Sequence, residues 1–99
     1  MSGKTGLTGR YATAIFQLAN ADNQLDKVAK DFLRLDGMIR SSKDLERLIH
    51  SPIMSRKDQG RALTEILNKA GMCELTQSFV GTIAENRRLY LISEMITSY

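Results

Sequence analysis

The sequence predicts an all-α fold, a six-helix bundle forming a single domain, on three observations. Apolar residues recur at three- and four-residue spacing along almost the whole chain. No segment holds a sustained two-residue alternation bounded by turn residues, so no strand is expected. Short polar residues, the one proline and several glycines fall between the apolar runs, where helices start and stop.

The first helix carries two adjacent stripes, Leu7, Tyr11, Ile15 and Leu18 in one and Ala12, Phe16 and Ala19 in the other, with Thr8 as its expected N-cap. The second spans about residues 23 to 40 behind Asp22, with Leu25, Val28, Ala29, Phe32, Leu33 and Ile39 at helical spacing. Gly37 lies inside that pattern and costs about 1 kcal/mol relative to alanine. Leu45, Leu48 and Ile49 make a short third helix, with Ser41 and Asp44 as its capping pair. Ser51-Pro52 ends it, because the residue before proline is driven to extended backbone. Ser55 and Asp58 open a fourth helix through Ala62, Leu63, Ile66, Leu67 and Ala70, with Gly60 inside and Gly71 suited to the left-handed closing position. Leu75, Phe79, Val80, Ile83 and Ala84 form the fifth, and Ile92, Met95, Ile96 and Tyr99 the sixth. The sixth is still in helical phase at Tyr99, so the chain reads as the N-terminal domain of a longer protein.

Ninety-nine residues suit one domain and bury roughly 60–70% of the unfolded chain's surface on folding. Apolar content of 42% and charged content of 25% are ordinary for a globular domain. No apolar run reaches the ~18–20 residues that span a bilayer, so no membrane insertion is expected. Met1 to Gly6 leads into no apolar core of a secretory signal, and is too short and poor in arginine for a transit peptide. A lone Cys73 forms no internal disulfide, in keeping with a reducing compartment. The net charge of +3 is mild, and Asp26, Lys27, Lys30, Asp31, Arg34 and Asp36 interleave their signs as on a solvated helix face.

No chemistry is visible. His50, the one histidine, has no motif supplying an acid or nucleophile and suits the negative end of the third helix. Cys73, at a helix boundary, reads as a packing residue. No Cys, His, Asp or Glu spacing suggests a metal site, and no strand precedes Gly3, Gly6 and Gly9 as a phosphate loop requires. Catalytic residues, metal and cofactor are therefore all expected to be absent. What stands out is that the first and fifth helices are apolar on arcs too wide for one core contact. Either both stripes are core, or the second stripes wall a groove for a partner helix, approached closely over Ala14, Gly81 and Thr82.

Gly9-Arg10-Tyr11-Ala12-Thr13-Ala14-Ile15-Phe16, followed by Leu18-Ala19, resembles the start of the delta subunit of F-type ATP synthases, the family of the oligomycin-sensitivity-conferring protein. Ala84-Glu85-Asn86-Arg87-Arg88-Leu89 is similar to that family's second signature, at the turn from its fifth to its sixth helix. The resemblance covers essentially residues 1–99, and only the N-terminal half of a family member. It implies a non-catalytic stator domain on top of the catalytic head, binding the N-terminal helix of an alpha subunit between its first and fifth helices. The absent C-terminal part would grip the b subunits of the peripheral stalk. The setting implied is the cytoplasmic side of a bacterial inner membrane, peripherally, within the synthase. Carried over position by position, the groove comprises Tyr11, Ala14, Ile15 and Leu18 with Phe79, Thr82, Ile83 and Asn86, of which Ile83 is the readiest to face the core instead. Many family members have glycine where this chain has Arg87; a positive φ there costs arginine about 1 kcal/mol, or else the turn differs.

The alternative from another class is an RNA-binding helical bundle resembling antitermination factors. Its motive is the basic set Arg40, Lys43, Arg47, Arg56, Lys57, Arg61, Arg87 and Arg88. The mixed signs and the lack of an aromatic reading motif argue for no nucleic-acid partner.

Overall fold

The computed structural model describes residues 6–98. They form α1 (Leu7–Ala21), α2 (Leu25–Ser41), α3 (Lys43–His50), α4 (Arg56–Lys69), α5 (Glu74–Glu85), a 3-10 turn (Leu89–Leu91) and α6 (Ile92–Ser98). No strand occurs among the described residues, and the fold is the all-α bundle that the periodicity predicts. Met1 to Thr5 and Tyr99 lie outside the described residues.

The hub is α2, on which α1, α3, α5 and α6 all pack. It buries Val28, Phe32, Leu35 and Ile39, while Leu33 points to solvent. α1 lies chiefly against α6, and α5 runs along α4. A Cβ on Gly60 would stand 3.3 Å from the Ala84 Cβ, so the close approach of α4 and α5 accounts for a glycine inside a helix. The radius of gyration, 12.6 Å, is near the ~13 Å expected of a domain this size.

One buried acid departs from the solvated face expected of its stretch. Asp31 is three residues after Val28 and four before Leu35, hence on the apolar face of α2, and it is buried. Its Oδ2 accepts from the Cys73 amide at 2.9 Å and from the Thr76 hydroxyl at 2.8 Å. A side chain of α2 thereby closes the N-terminus of α5, whose own cap residue, Cys73, makes no capping hydrogen bond.

Two of the four expected N-caps shift by one or two residues, and one is absent. Ser55 accepts from the Asp58 amide, as predicted. Ser42, in extended backbone, caps α3 by accepting from Leu45, whereas Ser41 ends α2 and donates its hydroxyl to the Gly37 carbonyl. Asp22 closes α1, and Gln24 stands at the head of α2 with its amide donating to Asp22. Thr8 is already inside α1, and its buried hydroxyl donates to Glu94 of α6 at 3.4 Å.

Three helices end in one geometry. In α1, α4 and α5 the residue after the cap takes a positive φ: Asn23 at 57°, Gly71 at 79° and Arg87 at 61°. Its amide and the next one turn back into the helix, as Gly71 to Asn68 at 3.0 Å with Met72 to Leu67 at 3.1 Å, and Arg87 to Ala84 with Arg88 to Ile83, both at 3.0 Å. The turn after Asn86 thus keeps its left-handed form despite arginine. The Arg87 guanidinium donates to the Met54 carbonyl at 3.2 Å, tying the turn to the loop before α4.

Two stability outcomes are expected in urea titrations. Arg87→Ala keeps the left-handed strain and loses the bond to Met54, so it should be less stable than Arg87→Gly by about 1 kcal/mol. Asp31→Ala removes the acceptor of the buried Thr76 hydroxyl and of the Cys73 amide, and should lower stability by about 1–3 kcal/mol.

Candidate partner-helix groove

At 100° per residue, α1 divides its apolar residues differently from the two stripes read in sequence. Thr8, Ala12, Ile15 and Ala19 face the core. Leu7, Tyr11, Ala14 and Leu18 form the neighbouring stripe, with Leu7 and Tyr11 half-buried, Ala14 exposed and Leu18 54% exposed. Phe16, expected beside Ala12 and Ala19, is 46% exposed on the opposite flank. Ile15, expected in the first stripe, lies at its edge towards the second in helical phase, and the bundle buries it completely.

On α5 the buried face is Thr76, Phe79, Val80, Ile83 and Ala84. Here the two helices meet through side chains. The Tyr11 ring stands edge-on to Phe79, centroids 6.3 Å apart at 77°. Phe79 leans in turn on Phe32 of α2, at 6.0 Å. Asn86, at the cap of α5, donates its Nδ2 to the Tyr11 hydroxyl at 3.0 Å. The resulting seam between α1 and α5 has Phe79 beneath, Tyr11 and Asn86 joined across it, and Ala14 and Leu18 exposed along one wall.

Of the eight residues expected at the groove, the structure joins Tyr11, Phe79 and Asn86 directly. Ala14 and Leu18 continue the open stripe on α1. Ile15 and Ile83 are wholly enclosed, so they hold up the seam from below and present nothing to a visitor. Thr82 is exposed, three residues after Phe79 and four before Asn86 on α5, and with Gly81, Gly60 and Thr64 it also lines a furrow between α4 and α5. Leu7 belongs to the open stripe by helical phase and is half-buried.

The residues named along the seam, Leu7, Tyr11, Ala14, Leu18, Phe79 and Asn86, are uncharged. Arg10, exposed one turn before Ala14 on α1, and Arg87, directly after Asn86, are the basic residues nearest to the seam in sequence. Other basic residues are engaged elsewhere: Arg40 pairs with Asp36 at 3.0 Å, Arg47 with Asp44 at 3.8 Å, and Arg56 donates to the Glu85 carbonyl at 3.0 Å. His50 ends α3, as its dipole reading expects, and the Cys73 sulfur sits 3.3 Å from the Thr76 hydroxyl. Among the described residues no group of three or more His, Cys, Asp or Glu could hold a metal ion. Among the described residues no helix is long and apolar enough to cross a membrane.

Comparison with known proteins decides the family. Residues 7–99 match the family described as ATP synthase delta (OSCP) subunit. This chain belongs to that family. It is 47% identical over 93 residues to the ATP synthase subunit delta of Paramagnetospirillum magneticum, covering 94% of this chain and 50% of that one. It is likewise 47% identical over 95 residues to that of Parvibaculum lavamentivorans (96% and 49%), and 42% identical over 98 residues to that of Rhodospirillum centenum (99% and 53%). The chain spans about half the length of these curated relatives. The family's subunits are structural and non-catalytic.

Because Phe79 is nearly enclosed between Phe32 and Tyr11, Phe79→Ala should act on folding first. A loss of about 3–5 kcal/mol in thermal or urea unfolding is expected, as for other buried aromatics.

Proposed function

We propose that this chain is the head-binding N-terminal domain of a peripheral-stalk ATP synthase subunit. In this reading residues 1–99 hold the N-terminal helix of an alpha subunit along the α1–α5 seam. The remaining part of the subunit, outside this chain, grips the b subunits of the stalk. The domain then keeps the catalytic head from turning with the rotor, so that proton-driven rotation becomes conformational work at the catalytic sites. It does no chemistry of its own. Its place is peripheral, on the cytoplasmic side of a bacterial inner membrane.

One observation carries the proposal: an uncharged apolar stripe on α1, opened by Leu18 and Ala14, borders a ring pair that reaches the core. An amphipathic helix laid on such a strip gains roughly 1.5–3 kcal/mol for each large side chain it buries. With Ile15 and Ile83 committed to the core, the surface on offer is Leu7, Tyr11, Ala14, Leu18 and the rim of Phe79. Ordering the partner and immobilising it remove much of the gain. A second attachment through the rest of the subunit would raise the effective concentration and let a moderate contact bear torque.

Titration calorimetry with a synthetic alpha-subunit N-terminal helix tests this. Tyr11→Ala should weaken binding by about 1–3 kcal/mol, as loss of an aromatic anchor does, and Leu18→Ser should weaken it while leaving the melting temperature nearly unchanged. Binding should vary little between low and moderate salt. A steep loss of affinity with salt would instead mark phosphate contacts and support the nucleic-acid alternative.

A further inference from the structure

We infer that the Tyr11–Asn86 pair is a register clamp that selects one carboxamide side chain, Asn or Gln, on the docked helix. The inference rests on the seam being the docking site proposed above, and adds to it the alignment and chemistry required of the partner.

Hydrophobic contact is non-directional, so an apolar strip alone lets a helix slide by a turn at little cost. Leu7, Ala14, Leu18 and Phe79 supply no directional bond. Tyr11 and Asn86 do, and the structure has already brought them together across 75 residues of sequence separation. Asn86 spends one of its two amide hydrogens on the Tyr11 oxygen. Among the described residues, the Asn86 Oδ1 and the Tyr11 hydroxyl proton meet no second partner. The lip of the seam therefore offers an acceptor and a donor side by side, held by the ring contact on one side and the end of α5 on the other.

A carboxamide matches that arrangement. Its NH2 donates to Asn86 Oδ1, and its carbonyl accepts from the Tyr11 O–H. A carboxylate would present only acceptors and an ammonium only donors, so each leaves half of the pair unanswered. A leucine at that height would bury both groups unpaired, which penalises the wrong register as well as the wrong residue.

The spacing follows from α1. Leu18 lies seven residues from Tyr11, two helical turns or about 10 Å along the axis, and Leu7 lies one turn the other way. A partner helix running along α1 would carry its carboxamide between an apolar residue about four positions to one side and another about seven to the other. A single polar residue in an apolar face sets alignment in this way in coiled coils, at some loss of affinity.

The test is a mutant cycle by calorimetry, using the 99-residue chain and alpha-subunit N-terminal helix peptides in which each Asn or Gln in turn is replaced by Leu. One replacement should weaken binding to the unsubstituted chain about tenfold and binding to Asn86→Ala less than twofold. Tyr11→Phe, which keeps the ring contact, should give the same loss of coupling, with thermal melting confirming that both variants fold. If no peptide position depends on Asn86 or the Tyr11 hydroxyl while Leu18→Ser still weakens binding, the clamp is overturned and the groove stands. Unchanged binding by Leu18→Ser overturns the groove, and the clamp with it.

Discussion

The row of three rings, Phe32 on α2, Phe79 on α5 and Tyr11 on α1, is the contact on which the rest of the candidate surface depends. Phe32 is fixed in the core by the central helix, Phe79 is set by Phe32, and Tyr11 stands edge-on to Phe79. The packing that stabilises the bundle therefore also sets the distance between the two helices that border the seam. Rings resist compression and hold preferred angles, so these contacts space α1 from α5.

The polar contacts serve the same end. A bundle of short helices leaves many helix termini unpaired, and here side chains of neighbouring helices answer several of them. Asp31 of α2 receives the start of α5; Arg34 of α2 donates to the Ala70 carbonyl at the end of α4; Gln59 of α4 donates to the Leu48 and Ile49 carbonyls of α3; Arg56 of α4 donates to the Glu85 carbonyl of α5. Each bond joins two helices as well as satisfying an end. Exposed ion pairs such as Arg40–Asp36 add little by comparison, because water competes for both partners. α5 is held at its N-terminus by Asp31 and near its C-terminus by Arg56 and the close approach of Gly60 to Ala84, so its lip residue Asn86 is delivered to Tyr11 by a well-anchored element.

Much of this could be read along the chain. Apolar period, Ser51-Pro52, Ser55 and Gly71 place the helices correctly, because each acts within a turn or two of itself. The two signatures point to the seam, and Tyr11, Phe79 and Asn86 do meet there. The errors share a cause. Ser41 against Ser42 and Asp22 against Gln24 differ by backbone torsions that neighbouring polar residues can equally adopt. Ile15 sits on the border of its face, and which side of a border counts as inside depends on where the adjacent helices lie, while Ile83 lies in the middle of the buried face of α5. Asp31 hides in a run of alternating charges, and the trace it leaves is its spacing from Val28 and Leu35.

By itself the sequence determined the helices, their order and the surplus of apolar surface on the first and fifth, since periodicity and capping are local properties of a chain. Only the tertiary structure decided which part of that surplus is core and which is open. It alone brought the Asn86 amide to the Tyr11 hydroxyl and set the Asp31 carboxyl on the α5 terminus. Those outcomes depend on distances between helices far apart in sequence, which no local spacing encodes.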